Sequence, residues 1–293
     1  MFMEFEKSLN VSYLKLRYFA FNCFEIKFPG GKTLVIDPCL NKEGKFSCGY
    51  DVNDLEGCDV VYVNHSHADH VDSLGKVYDR FHPLVMANAV TAYDLCVQYD
   101  VPFIQMLPYV SGDTFDFGDF KLDILHARHA LNNLRRPSGK EDPFDNVFFK
   151  PGMKGPTYAT ELEEKLGNMG TLYNNNFVLS TPQNIQIGFF AGNPGLTAPE
   201  DRNMWKNIHP DIIFAHRAKY TVDYANMMAD VLELTGARIM VPMHIEDAYS
   251  GQYDPAEYTA NVNKVCAERG LVGRMMFLER GRWYQFSSGV AKL

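Results

Sequence analysis

VYVNHSHADHVDSL, residues 61 to 74, places three of the chain's nine histidines and an aspartate within six residues. The stretch opens as a hydrophobic strand, DVVYVN (59–64), and runs directly into His65, His67, Asp69 and His70. In an extended segment, side chains two apart lean to the same side, so His65 and His67 share a direction. From about Asp69 to Arg80 the pattern turns helical, with Asp69 expected near the N-terminal cap. Asp69 and His70 can then reach the same cavity from another side. Imidazoles with a carboxylate suit zinc, and also iron or manganese, whereas structural zinc is thiolate-rich.

Composition bounds what such a cluster could serve. Hydrophobic residues make up 46% of the 293-residue chain, enough for a substantial core. No apolar run approaches the ~20 residues of a membrane helix, and MFMEFEKSLN lacks the basic-then-apolar pattern of a secretory signal. Six scattered cysteines without a C-x-x-C pair fit reduced thiols. A formal charge of −8 argues against nucleic acid or an anionic membrane as partner. A cytoplasmic protein acting on a small molecule is expected, with no stable membrane insertion and with homo-oligomerisation left open.

Outward from the cluster, SYLKLRYF, CFEIKF and TLVID read as strands, the last two joined by a PGGK turn. PLVMAN, VPFIQML, FKLDILH, NFVLS, IQIGFFAG, IIFA, RIMVP, RMMFLE and WYQF supply further strands. Helices are expected near 89–98, 221–236 and 254–268. Residues 131 to 175, with Pro137, Pro143, Pro151 and Pro156 and one plausible helix, TYATELEEKLG, form a long irregular insertion of lid-like character. The whole chain, 1–293, reads as a single α/β domain of sheet layers covered by helices.

Further histidines fall where strands end: His126 and His129 after FKLDIL, His216 after DIIFA, His244 after RIMVPM. Sites in layered α/β folds gather beyond the carboxyl ends of strands, so these point to one pocket. His82 and His209 each precede a proline and read as turn positions.

His65-Ser-His67-Ala-Asp69-His70 after a hydrophobic strand resembles the HxHxDH signature of the metallo-β-lactamase fold. The opening hairpin ending in Asp37-Pro38, the strand ending IGFFAGN (187–193) and VPMH ending at His244 are similar to that superfamily's other landmarks, in order. The resemblance implies an αββα sandwich, and is nearest to the branch of L-ascorbate-6-phosphate lactonase and N-acyl-phosphatidylethanolamine phospholipase D. It implies that His65, His67 and either His129 or His126 hold one divalent metal, with His129 preferred and His126 then a neighbour. Asp69, His70 and His244 would hold a second, and Asp37 would orient a ligand histidine. The family's bridging aspartate is replaced here by Asn193, whose neutral oxygen bridges two cations poorly, so one metal or two is left open.

The implied activity is a metal-dependent hydrolase using a metal-bound hydroxide on an ester, lactone or phosphodiester, zinc first, manganese or iron next. Asp69 would orient the hydroxide or take its proton, and His216 would serve the leaving group. Arg135 and Arg136 in the insertion could pair with an anionic substrate. A nuclease would want a basic groove, and a flavodiiron oxygen reductase has glutamate where His67 stands. Asn193 also prompts a different reading, a metal- or ligand-binding protein of sensor type without turnover.

Overall fold

The computed structural model describes residues 13–44, 46–127, 174–191, 203–217, 223–246, 251 and 253–287. Two seven-stranded mixed sheets face one another. The first has the order β14-β1-β2-β3-β4-β5-β6 and the second β13-β12-β11-β10-β9-β8-β7. Strands β1 (Tyr13–Ala20), β2 (Cys23–Lys27) and β3 (Thr33–Ile36) form an antiparallel meander. Parallel strands β4 (Val60–Tyr62), β5 (Leu84–Asn88) and β6 (Met106–Tyr109) extend it. The second sheet repeats the plan. Antiparallel β7 (Thr114–Asp116), β8 (Lys121–His126), β9 (Asn175–Ser180) and β10 (Gln186–Phe190) lead into parallel β11 (Ile212–His216), β12 (Ile239–Met243) and β13 (Arg274–Met275). β14 (Tyr284–Ser287) returns to pair with β1.

The period-2 geometry of strands sorts their side chains into two cores. Leu34, Ile36, Val60, Tyr62 and Met86 point between the sheets, while Val35, Val61 and Val85 point the other way. That second face is covered by α1 (Ala68–Val71), α2 (Leu74–Phe81) and α3 (Ala92–Tyr99), through Val71, Leu74, Val77 and Leu95. Helices α4 (Tyr224–Thr235) and α5 (Pro255–Glu268) cover the second sheet through Met228, Leu232, Tyr258 and Val262. Between the sheets, rings interlock across the seam: Phe24 meets Phe214 at 4.6 Å and Tyr62 meets Phe177 at 4.4 Å. The result is the αββα sandwich expected from the sequence.

Several local expectations are corrected. The helix foreseen from Asp69 to Arg80 is two, because Ser73 turns aside: its hydroxyl bonds the Leu40 carbonyl and receives the Leu40 N–H, both at 2.9 Å. Asp69 does lie beside the N-terminal cap of α1, in its first turn, with His67 as the cap residue itself. The middle of VPFIQML is a 3-10 turn, Phe103–Gln105, and strand begins only at Met106. The strand foreseen in RMMFLE is reduced to Arg274–Met275, and β7 was unforeseen. Asn175, the last residue of the expected insertion, already belongs to β9, and Asn174 beside it is buried. The rest of that insertion lies outside the described residues, apart from Asn174. No described helix is long and apolar enough to cross a membrane.

Candidate metal centre

Asp37 follows β3, residues 64–70 follow β4, His216 ends β11 and His244 follows β12, so all four segments meet at the carboxyl ends of parallel strands. Backbone bonds fix the approach to the histidines. The Asn64 N–H donates to Asp37 Oδ1 at 2.6 Å, and the Tyr109 hydroxyl donates to the Val63 carbonyl at 2.7 Å. The Asn64 side-chain amide donates across to the Asn175 carbonyl on the second sheet. Asn175 in turn accepts from Asn88 at 3.0 Å and donates to Ser111 Oγ at 2.8 Å. The mouth of the sandwich is thus held by buried amides that satisfy one another, as buried polar groups must be.

His65, His67, Asp69 and His70 are all buried. His65 Nε2 lies 3.1 Å from His67 Nδ1, and the His65 and His70 rings are 3.8 Å apart at their centroids. Asp69 and His70 sit in the first turn of α1 and face His244 from the other half of the chain. His244 Nε2 is 2.9 Å from Asp69 Oδ2. Ligand-type atoms of Asp69, His70 and His244 all lie within 4.8 Å of one another. Behind them, His70 Nδ1 is 2.7 Å from Asp37 Oδ2, and His244 Nδ1 is 3.0 Å from Glu246 Oε2. His70 thereby hydrogen-bonds a carboxylate through Nδ1 and His244 sets its Nδ1 against one as an ion pair, and both turn Nε2 inward, the usual arrangement behind a metal-ligating histidine.

Electrostatics separates the carboxylates. Burial pushes Asp37 above its ordinary range, only partly offset by His70. Burial also opposes ionisation of Asp69, but His70 and His244 beside it hold its carboxyl well below the usual range. Burial works against protonating His244, yet Glu246 and Asp69 push it up to about 10. In the metal-free chain a proton therefore sits between His244 and Asp69, where a cation would compete with it.

The donors fit a divalent cation. Asp69 Oδ1 is buried without a hydrogen-bond partner among the described residues, and it faces His70 Nε2 at 3.9 Å. A buried anionic oxygen left beside two imidazoles is a group that a cation would satisfy. Of the residues singled out from sequence, the structure gathers His65, His67, Asp69, His70 and His244, with Asp37 behind His70. His216 joins them at the rim, half-buried, its ring 4.8 Å from that of His244. His126 is exposed at the end of β8, and its carbonyl, 3.3 Å away, takes the Asn176 amide. His129, Arg135, Arg136 and Asn193 lie outside the described residues. Unmarked by sequence were Glu246 and the amides Asn64, Asn88 and Asn175. For Glu246 a signal existed: it stands two residues past His244, as His67 stands two past His65.

Comparison with known proteins agrees with this fold. A family model described as Beta-lactamase superfamily domain matches residues 15–244. A UPF0173 metal-dependent hydrolase of Listeria innocua is 21% identical over 269 residues, covering 92% of this chain and 99% of that protein. One of Methylobacterium nodulans is 28% identical over 121 residues, 40% of this chain. In that relative and another, the match spans only about half of their length, 49% and 51%. Among solved structures, a metallo hydrolase from the archaeon Ignicoccus hospitalis superposes with a TM-score of 0.62 at 16% identity. The superposition covers 95% of this chain and 100% of that one. At that identity the likeness speaks for the fold alone.

Proposed function

The chain belongs to the β-lactamase superfamily domain family, and from that premise we propose that it is a metal-dependent hydrolase acting on a small ester, lactone or phosphodiester. One observation carries the reading: Asp69 and His70 from the first half meet His244 from the second, with Asp69 Oδ1 buried and unpartnered among the described residues. A fold that buries a carboxylate oxygen so leaves a place for a cation. The donor set suits zinc first, with manganese or iron next. When bound, the ion supplies Lewis acidity and lowers the pKa of a water from about 16 toward ~7.

The chain's own residues do the rest. Asp37 fixes the His70 ring, and Glu246 faces the Nδ1 of His244. Asp69 binds the ion or, through Oδ1, orients the attacking water and takes its proton. His216 stands at the rim, 4.8 Å in ring separation from His244, where it can donate to a leaving group. As the resemblance implies, His65 and His67, together with His129, would be the donors for the other ion. Arg135 and Arg136 would pair with an anionic substrate. The likeness to the lactonase and phospholipase D branch makes lactones and phosphodiesters the first substrates to test.

The test is elemental analysis of protein purified without added metal or chelator, followed by turnover on lactone, phosphodiester and ester panels. Bound transition metal, with hydrolysis lost in Asp69→Asn, supports the proposal. No uptake after incubation with Zn²⁺, Mn²⁺ or Fe²⁺ would refute it. Full metal occupancy without turnover of any class would favour the binding-protein reading that Asn193 prompts.

A further inference from the structure

Glu246 touches both halves of the chain at once. Its Oε2 lies 3.0 Å from His244 Nδ1, an ion-pair contact without hydrogen-bond geometry. Its Oε1 accepts the backbone N–H of Phe21, in the turn between β1 and β2, and lies 3.4 Å from the Tyr18 hydroxyl. The His244 backbone N–H returns to the Phe21 carbonyl at 2.8 Å. Peptide, carboxylate and imidazole thus close a ring of three contacts around His244. The Phe21 ring adds an edge contact to the imidazole, at 5.5 Å between centroids. Phe21 and His244 both have left-handed backbones, φ 50° and 59°, a region rare for a residue as bulky as Phe. Arg280 Nη2, 3.6 Å from Oε1, supplies the balancing charge.

We propose that Glu246 is a positioning residue that fixes His244 as an Nε2 ligand, an inference resting on the metal-centre reading above. A carboxylate offers only negative charge and lone pairs, so with Oε2 3.0 Å away the His244 Nδ1 is favoured in its protonated form. With Nδ1 committed, Nε2 is the nitrogen whose lone pair is available to a cation. Because the same carboxylate holds Phe21, the ring's rotation is tied to the hairpin turn of the opposite sheet.

Glu246→Gln tests this by keeping shape and removing the acceptor-only character. If the amide oxygen stays on the Phe21 N–H, the NH₂ group faces Nδ1 and donor meets donor. The imidazole then relieves the clash by moving its proton to Nε2, which blocks the ligand nitrogen. If the amide turns over, the Phe21 contact is lost instead.

The experiment is Zn²⁺ affinity by competition with a chromophoric chelator, for wild type, Glu246→Gln, His244→Ala and the double variant. Circular dichroism of each metal-free protein checks that it is folded. Glu246→Gln is expected to weaken binding about 10–100-fold, and to weaken it no further in the His244→Ala background, because the two act as one unit. Wild-type affinity in a folded Glu246→Gln would overturn the proposal. So would an equal loss with and without His244, which would mean that Glu246 acts elsewhere. A wild-type chain that takes up no Zn²⁺, or His244→Ala binding as wild type does, would overturn the metal-centre reading itself, and the proposal with it.

Discussion

Replacing Asp37 by Asn should weaken metal binding while leaving the chain folded, and the size of the loss follows from its two contacts. The buried carboxylate accepts from His70 Nδ1 at 2.7 Å and from the Asn64 N–H at 2.6 Å. An amide offers one acceptor oxygen and presents a donor on its other side, so one of the two contacts becomes donor against donor. A charge-assisted hydrogen bond of this kind contributes roughly 1.5–3 kcal/mol. Loss of a group that orients a metal ligand typically lowers affinity about 10–100-fold, or about 1.4–2.7 kcal/mol. The two routes agree. Asn is the cleaner probe because Asp37 has φ 45°, a region that Asn tolerates and in which Ala would be strained. The assay is Zn²⁺ competition with a chromophoric chelator at neutral pH, beside a thermal melt of the metal-free protein. A folded Asp37→Asn variant with wild-type affinity would refute the role given to Asp37, and with it the orientation of His70.

Other expectations follow from the same contacts. Asn175→Ala strips the partners of Asn88 and Ser111 at the mouth of the sandwich and should cost about 2–3 kcal/mol by urea unfolding; a loss below experimental error would mean that water replaces the amide. Phe24→Ala empties the middle of the inter-sheet aromatic seam, and a midpoint shift equivalent to about 3–5 kcal/mol is expected. Gly188→Ala would bring a Cβ within 2.6 Å of Ile213 Cδ1 and 3.0 Å of Trp205, for a loss of about 1–3 kcal/mol. The metal-free protein should melt at lower temperature as pH rises. His244 is raised from 6.5 to about 10, so its proton stabilises the fold fully below pH 6.5 and is lost through pH 10. A flat melting profile across that window would contradict the contacts of His244 with Glu246 and Asp69.

What the sequence made legible was what is local. The spacing of residues 65 to 70 identified the cluster because alternation along the short segment that leaves one strand and the first turn of one helix suffice to aim four side chains. Strand ends at His216 and His244 were legible for the same reason. The meeting of Asp69 with His244, 175 positions apart, was reached through a resemblance, since no local period encodes it. The amide ties among Asn64, Asn88 and Asn175 were invisible because each residue alone reads as a turn former. Ser73 broke a helix through a contact with Leu40, a partner far along the chain that helical periodicity does not report. β7 and β13 are too short to carry a period at all.

The two sheets meet in the middle through rings and at the mouth through directed bonds. Dispersion contacts between aromatic faces change little when one surface slides slightly past another, whereas a hydrogen bond weakens steeply with misalignment. The sandwich behaves like a pair of calliper jaws, with a tolerant body and tips that register small displacements. His244 rides on one jaw, Asp69 and His70 on the other. A substitution far from the centre that shifts one sheet by a fraction of an ångström should then be felt as altered ion affinity well before any loss of secondary structure.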